Sequence, residues 1–262
     1  MMPDPKSQAP REEPAPTVPF GRDDVDPADK AALVDRIFTT VAERYDLMND
    51  LMSGGLHRVW KRAMIADLDV VPGGQLLDLA GGTGDIALRV RDRARDRAAP
   101  DITVCDINPA MLGEGRRRAW NRGALRGLAW ACGDAETLPF ADSAFDACTI
   151  AFGLRNVTHP ARALAEIGRV LKPGGRFLCL EFSPRVTPGL AGLYDIFSNS
   201  VIPTLGQAVA GDRDAYTYLV ESIRRFPDPD TLAEMIGAAG FGGVRYRAMT
   251  GGIAVLHGAW RV

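Results

Sequence analysis

Short apolar segments alternate with amphipathic ones along most of the chain. A strand is predicted at QLLDLA, and a glycine turn and the helical pattern IALRVRDRARD follow it. Further strands are predicted at ITVCDI, LAWACGD, FDACTIAF and RFLCLEFS, with helical patterns between most of them. Strands separated by helices indicate a parallel sheet that is covered by helices on both faces. The pattern therefore predicts an α/β fold with a doubly wound, mostly parallel, Rossmann-like sheet.

The two ends of the chain depart from this alternation. Six prolines and scattered charges in residues 1–26 predict a disordered tail. Apolar residues at helical spacing then predict N-terminal helices within 27–72. The long segment 184–227 lacks a strand pattern and predicts a helical insertion that acts as a lid over the site. GVRYRAMTG and GIAVLHGAW predict an antiparallel hairpin, which completes a seven-stranded sheet in a single domain, 27–262.

Composition narrows the class of protein. The 262 residues are 46% hydrophobic and 24% charged, as is typical of a soluble globular protein. The net charge of −2 lacks the basic surplus of a nucleic-acid-binding surface, so we expect no nucleic-acid partner. No apolar run is long enough for a membrane span, and the charged, proline-containing start lacks the apolar region of a secretory signal, so we expect none.

The four cysteines lie in short apolar runs and form no CxxC pair, and the three histidines are far apart. This pattern predicts reduced thiols that pack in the core, no metal site, and a cytoplasmic location.

The glycine turn in LLDLAGGTGD joins a predicted strand to a predicted helix. Gly82 and Gly84 let the backbone approach a ligand closely, and the helix N-terminus supplies free N–H groups. Asp106 ends the next strand, where a carboxylate can accept both ribose hydroxyls of a nucleoside. The turn also matches GxGxxA, the dinucleotide fingerprint, so a nicotinamide cofactor is an alternative at this point.

Two further acids favour S-adenosylmethionine over a dinucleotide. Asp78 precedes the glycine turn, where a carboxylate can take the cationic amino group of that cofactor. Asp134 follows the third strand, where the adenine amino group would lie. A KPGG turn and a strand that ends in Glu181 complete an ordered set that is more specific than the glycine motif. We therefore expect S-adenosylmethionine as the cofactor.

These segments resemble the class I S-adenosylmethionine-dependent methyltransferases, and within them the ubiquinone/menaquinone biosynthesis C-methyltransferase family. The resemblance covers roughly 30–262 and rests on VAERYDLMNDLMSGGLHRVWK, LLDLAGGTGDIA, DINPAML, GDAETLPF, FGLRNV, RVLKPGGRFLCLEFS and the late YLVESIRRFPDPDTLAEMI. It implies cofactor contacts at Thr83, Asp106, Asp134 and Ala135. Ala151 stands where the family often has Ser, and the missing hydroxyl removes one hydrogen bond, worth about 0.5–1.5 kcal/mol.

The resemblance implies methyl transfer to a ring carbon of 2-methoxy-6-polyprenyl-1,4-benzoquinol, demethylmenaquinol, or both. Such a site must align carbon, methyl and sulfur, and must stabilise the negative charge of a phenolate. Our candidate catalytic residues are Arg155 and Asn156, after the fourth strand, and Tyr45. Arg155 would stabilise the oxyanion or orient a water, and Asn156 and Tyr45 would orient the ring hydroxyl or that water. Weaker candidates for a base are His57, Asp46 and Glu181.

A polyprenyl tail implies transient contact with the membrane surface, at the inner membrane face. The basic segment GRRRAWNR is one candidate for that contact, although its composition is more typical of an ordinary solvated helix face. We also expect either a homodimer or membership in a biosynthetic complex. Three alternatives stay open: a methyltransferase for another small molecule, an NAD(P)-dependent dehydrogenase, and a non-catalytic subunit that keeps the cofactor.

Overall fold

The computed structural model describes residues 17–21, 23–42, 47, 49–50, 53–68, 73–94, 99–124, 126–189 and 213–262. The predictions that concern Tyr45, Asp46 and the middle of the insertion, 190–212, lie outside these residues.

The strands and helices follow the predicted alternation. In chain order they are β1 (Val18–Phe20), β2 (Asp23–Val25), α1 (Pro27–Val41), α2 (His57–Asp67), β3 (Gln75–Leu79), α3 (Asp85–Arg93), β4 (Asp101–Asp106), α4 (Pro109–Asn121), β5 (Leu128–Cys132), β6 (Phe145–Ala151), α5 (Pro160–Val170), β7 (Leu171–Phe182), α6 (Arg213–Arg224), α7 (Pro229–Ala238), β8 (Phe241–Met249) and β9 (Ala254–Arg261). A single 3₁₀ turn, Leu154–Asn156, follows β6.

The main sheet has seven strands in the order β5-β4-β3-β6-β7-β9-β8. Strands β3 to β7 are parallel, and β9 runs antiparallel to both β7 and β8. This topology confirms the predicted doubly wound sheet and its closing hairpin. The strand order reverses between β3 and β6, so a crevice opens at the carboxyl ends of these two strands.

The central strand β3 is buried on both faces because helices cover each side of the sheet. Leu76 belongs to the same apolar cluster as Ile86 of α3. Leu77, which points to the opposite face, belongs to a second cluster with Leu164 of α5. Burial of a leucine side chain contributes about 1.5–3 kcal/mol, so this strand is a rigid support for the turn that follows it.

The prediction of disorder in the N-terminal tail is wrong for residues 18–20 and 23–25. Val18–Phe20 and Asp23–Val25 pair as two short antiparallel strands. The Phe20 ring lies 4.6 Å from the ring of Tyr218 on α6, and Arg225 Nη1 donates to the Asp23 carbonyl at 2.8 Å. These long-range contacts supply the burial and the hydrogen bonds that a two-stranded ribbon lacks on its own.

Two smaller predictions also need correction. The KPGG segment is not a turn ahead of the strand but an irregularity within β7, because Leu171 already pairs with Phe145. Cys105, Cys148 and Cys179 are buried as expected, whereas Cys132 is exposed because β5 is an edge strand.

Among the described residues, no helix is long and apolar enough to cross a membrane.

Candidate active site

The carboxyl ends of β3, β4, β5 and β6 surround a cavity at the point where the strand order reverses. Helix α1 closes one side of this cavity with Ala31, Val34 and Phe38. The lining combines polar groups with an apolar wall. The polar groups include Asp35, Asp106, Asp134, Glu136 and Asn156, and the apolar ones include Leu79, Ile107, Met111, Ala135 and Phe152. Carboxylates beside apolar surface suit a nucleoside, whose ribose and base edge are polar and whose base faces are apolar.

Asp106 is fixed in place by backbone donors on both of its oxygens. Its Oδ2 accepts from Gly82 N at 2.8 Å, and its Oδ1 accepts from Asn108 N at 2.9 Å. Asn108 itself caps α4 by accepting from Met111 N, so Asp106 is not needed as the helix cap. Burial raises the pKa of Asp106 to about 6. Each carboxylate oxygen accepts more than one hydrogen bond, so Asp106 can still accept from a ligand in the cavity.

The two glycines of the predicted cofactor turn have different roles. Both have positive φ angles, 54° at Gly82 and 74° at Gly84. Gly82 lines the cavity, and a Cβ there would stand 2.8 Å from Met111 Cε. Gly84 lies outside the cavity lining, where a Cβ would meet the Trp130 ring at 2.7 Å. Gly82 thus keeps the cavity open, and Gly84 starts α3 against Trp130.

Two residues with unusual backbone conformations border the cavity and were missed by the sequence analysis. Ala80 and Phe152, directly after β3 and β6, have φ angles of 47° and 59°. Such angles are costly for residues other than glycine and cluster at functional sites. The sequence signal for them is Gly153, which directly follows Phe152. A glycine is needed there because a Cβ on residue 153 would lie 2.5 Å from Ala80 Cβ.

This close approach makes Gly153→Ala a test of the cavity's shape. The added methyl group must push the two turns apart, so we expect a loss of about 1–3 kcal/mol in the free energy of unfolding and weaker cofactor binding. Thermal unfolding and calorimetric titration with S-adenosylmethionine measure both. Gly113→Ala on α4 is the matched control, because a Cβ there meets nothing within 4 Å. Equal behaviour of the two variants would contradict the tight contact.

Asp78, Thr83 and Ala151 line a second, smaller cavity on the other side of the turn, together with Lys61. Asp78 is buried beneath the turn, where it accepts from Ala87 N at 3.2 Å and from Thr149 Oγ1 at 3.1 Å. Burial raises its pKa to about 7. Asp78 therefore ties the start of α3 to β6, and its predicted contact with a cofactor amino group stays a prediction.

Of the two adjacent catalytic candidates, Arg155 and Asn156, only one lines the main cavity. Asn156 lines the main cavity, but Arg155 does not. The Arg155 Nη1 atom lies 3.0 Å from Glu181 Oε2, and the two side chains are only 1% and 2% exposed. Arg155 Nη1 also donates to the Phe152 carbonyl. A buried guanidinium needs such partners. Glu181 thus holds Arg155 outside the lining of the main cavity, and the catalytic role of Arg155 stays a prediction.

His57 also lies away from both cavities. Its Nε2 is 2.8 Å from Asp50 Oδ1, and burial lowers the pKa of the imidazole. The imidazole thus joins the start of α2 to Asp50, and its role as a base stays a prediction. Among the described residues, no group of three or more His, Cys, Asp and Glu side chains could hold a metal ion.

The ubiE/COQ5 methyltransferase family model matches residues 26–261. The chain belongs to this family. A ubiquinone/menaquinone biosynthesis C-methyltransferase UbiE from Paracoccus denitrificans is 56% identical over 243 residues, covering 93% of this chain and 96% of the relative. Its counterpart from Nitrobacter hamburgensis is 54% identical over 254 residues, covering 96% and 100%. These matches confirm the predicted family and the methyltransferase activity.

Solved structures confirm the fold at much lower sequence identity. The [4+2]-cyclase SpnF superposes with a TM-score of 0.63 at 22% identity, covering 87% of this chain and 95% of that chain. An S-adenosylmethionine-dependent methyltransferase from Thermotoga maritima superposes with a TM-score of 0.61 at 18% identity, covering 87% and 100%.

Membership in a methyltransferase family supports S-adenosylmethionine as the cofactor and not a nicotinamide cofactor. The cavity fits that cofactor, because a carboxylate at Asp106 and a second at Asp134 border an apolar wall. The individual contacts of these residues with the cofactor stay predictions.

Proposed function

We propose that this protein transfers the methyl group of S-adenosylmethionine to a ring carbon of a polyprenylated quinol. The relatives are named C-methyltransferases of ubiquinone and menaquinone biosynthesis. The observation that carries the proposal is the lining of the main cavity. One wall holds the carboxylates suited to a nucleoside, and the neighbouring wall holds Phe152, Asn156 and Val157, which suit an aromatic ring with a hydroxyl group.

The bound cofactor supplies an electrophilic methyl group on a positively charged sulfur. The protein's part is to hold the acceptor carbon in line with that methyl group and to keep water away. Val157 provides an apolar surface for the ring, and Phe152 supports this wall from behind, because it is 1% exposed and its ring packs on Phe182 with centroids 4.7 Å apart. Asn156 provides an amide that can donate to the phenolate oxygen formed when the ring hydroxyl loses its proton, and this donor favours the deprotonated ring, whose carbon is the nucleophile.

A methyl-transfer assay with the full-length chain tests this proposal. The protein is incubated with S-adenosylmethionine carrying a deuterated methyl group and with short-tailed benzoquinol or naphthoquinol acceptors, each kept reduced. We expect a product that carries the deuterated methyl group on a ring carbon, identified by fragmentation in a mass spectrometer. A catechol without a prenyl tail is the control acceptor. Cofactor binding without any ring methylation, or transfer to oxygen alone, would contradict the proposal.

We also propose a transient contact with the membrane surface, where the polyprenyl tail resides. Within the basic segment on α4, Arg117 and Arg118 both pair with Glu114, so fewer free cations face solvent than the sequence indicates. Trp120 is 72% exposed beside Arg122, a combination suited to an anionic headgroup layer. Co-sedimentation with anionic and with zwitterionic vesicles, for the natural chain and Trp120→Ala, tests this contact.

A further inference from the structure

The Asn156 side chain is contacted by a residue from the far end of the chain. Tyr218 lies on α6, in the region predicted as an insertion, and its hydroxyl group donates to Asn156 Oδ1 at 3.2 Å. Neither the glycine motif nor the GLRN segment indicates this tyrosine. We propose that Tyr218 is a positioning residue, which fixes the Asn156 amide so that its NH₂ group faces the methyl acceptor. This inference rests on the proposed quinol methylation.

Two independent contacts determine the orientation of the amide. Asn156 Nδ2 lies 3.5 Å from the Phe152 carbonyl oxygen, which can only accept a hydrogen bond. On the other side, the Tyr218 hydroxyl donates to Oδ1. Burial raises the pKa of Tyr218 to about 12, so the phenol keeps the proton that it donates. With Oδ1 occupied in this way, the second hydrogen on Nδ2 is directed to the cavity that Asn156 lines.

This orientation matters for the chemistry. The ring hydroxyl next to the acceptor carbon must lose its proton to make that carbon nucleophilic, and a hydrogen-bond donor stabilises the phenolate oxygen that results. An amide rotated by 180° would present Oδ1 there and would repel the phenolate. The two orientations of the amide differ little in shape, and Tyr218 therefore selects the one that presents the NH₂ group to the methyl acceptor.

The tyrosine is itself held by the N-terminal ribbon. The Phe20 ring packs against the Tyr218 ring with centroids 4.6 Å apart, and Tyr218 is only 5% exposed. From the other side, Lys30 Nζ of α1 donates to the Val157 carbonyl at 3.1 Å, next to Asn156. The two short strands β1 and β2, within the segment predicted to be disordered, thus stabilise one wall of the active site.

Tyr218→Phe removes the hydroxyl and keeps the ring that packs against Phe20. We expect kcat for quinol methylation to fall about two- to tenfold, the range for one hydrogen bond. The dissociation constant for S-adenosylmethionine and the midpoint of thermal unfolding should stay near their natural values. Tyr246→Phe is the matched control, since Tyr246 is exposed and its hydroxyl donates to Asp230 on the surface.

The role of Tyr218 acts through Asn156, and a double-mutant cycle tests that dependence. In an Asn156→Ala background, Tyr218→Phe should cause no further loss of kcat, because no amide is left to orient. Phe20→Ala provides a second test, because it keeps the Tyr218 hydroxyl but removes the ring that packs on Tyr218. Its loss of kcat should be smaller and should vanish in the Asn156→Ala background. Losses that multiply in full would overturn the proposal, as would a natural kcat in Tyr218→Phe.

An NMR measurement separates this inference from the proposed function. The side-chain amide signal of Asn156, assigned by its absence in Asn156→Ala, should shift in Tyr218→Phe but not in Tyr246→Phe. An unchanged signal would overturn the contact whatever the substrate proves to be. Absence of ring methylation by the natural chain would instead refute the proposed function, and the amide signal would still decide the contact.

Discussion

Asp106→Ala is expected to raise the dissociation constant for S-adenosylmethionine by at least about a hundredfold. A hydrogen bond to a charged group contributes about 1.5–3 kcal/mol, and the predicted contact with the ribose includes two of them. The substitution also removes the acceptor of Gly82 N, which lies 2.8 Å from Asp106 Oδ2 at the turn that borders the cavity. Isothermal titration calorimetry with the full-length chain measures this constant.

Asp101→Asn is the matched control, because Asp101 is the first residue of the strand that ends at Asp106 and so lies at the opposite end of that strand from the cavity. Asp101 is exposed, and its side chain accepts a long hydrogen bond, 3.3 Å, from Gln75 Nε2. We expect cofactor affinity within about twofold of the natural chain. An Asp106→Ala variant that folds and binds the cofactor as tightly as this control would refute the assigned role of Asp106.

Arg155→Ala is expected to lower the free energy of unfolding by about 3–5 kcal/mol. The reason is the Glu181 carboxylate, which is 2% exposed and would lose the guanidinium that lies 3.0 Å away. Burial already raises the pKa of Glu181, and Arg155 opposes that shift. Without Arg155 this pKa rises further, so the loss of stability should shrink as the pH falls and Glu181 becomes neutral. Chemical denaturation at several pH values measures the effect.

An exposed ion pair provides the comparison. Arg247 lies 3.0 Å from Asp67, but the two side chains are 55% and 41% exposed. Arg247→Ala should therefore change the free energy of unfolding by less than about 1 kcal/mol. A double variant, Arg155→Leu with Glu181→Leu, should recover much of the stability that Arg155→Ala loses. An Arg155→Ala loss no larger than that of Arg247→Ala would show that the buried pair does not stabilise the fold.

Most of the main sheet was predictable from local patterns, because its strands have their own apolar signals. Apolar runs predict β3 to β7, and Asn108 caps α4 as its side chain and the following proline predict. Asp106 was predictable for the same reason, since the end of a parallel strand beside a glycine turn has a fixed place in this architecture. These features depend on residues that are near one another in the sequence.

The remaining features depend on contacts between distant segments. Nothing near Arg155 in the sequence indicates that Glu181 holds it behind the wall of the cavity. The partner of Asn156 is Tyr218, which is 62 residues away, and Phe20 at the other end of the chain holds that tyrosine. The positive φ of Phe152 likewise results from tertiary packing, because its residue type gives no signal for it.

A crystal structure of the full-length chain with S-adenosylhomocysteine and a short-tailed quinol would show whether one cavity, at the point where the strand order reverses, holds both the cofactor and the methyl acceptor. We expect the ribose hydroxyls on Asp106, the quinol ring against Val157, and a ring oxygen at Asn156 Nδ2. A cofactor bound away from Asp106, or a ring whose oxygens do not approach Asn156, would contradict this arrangement.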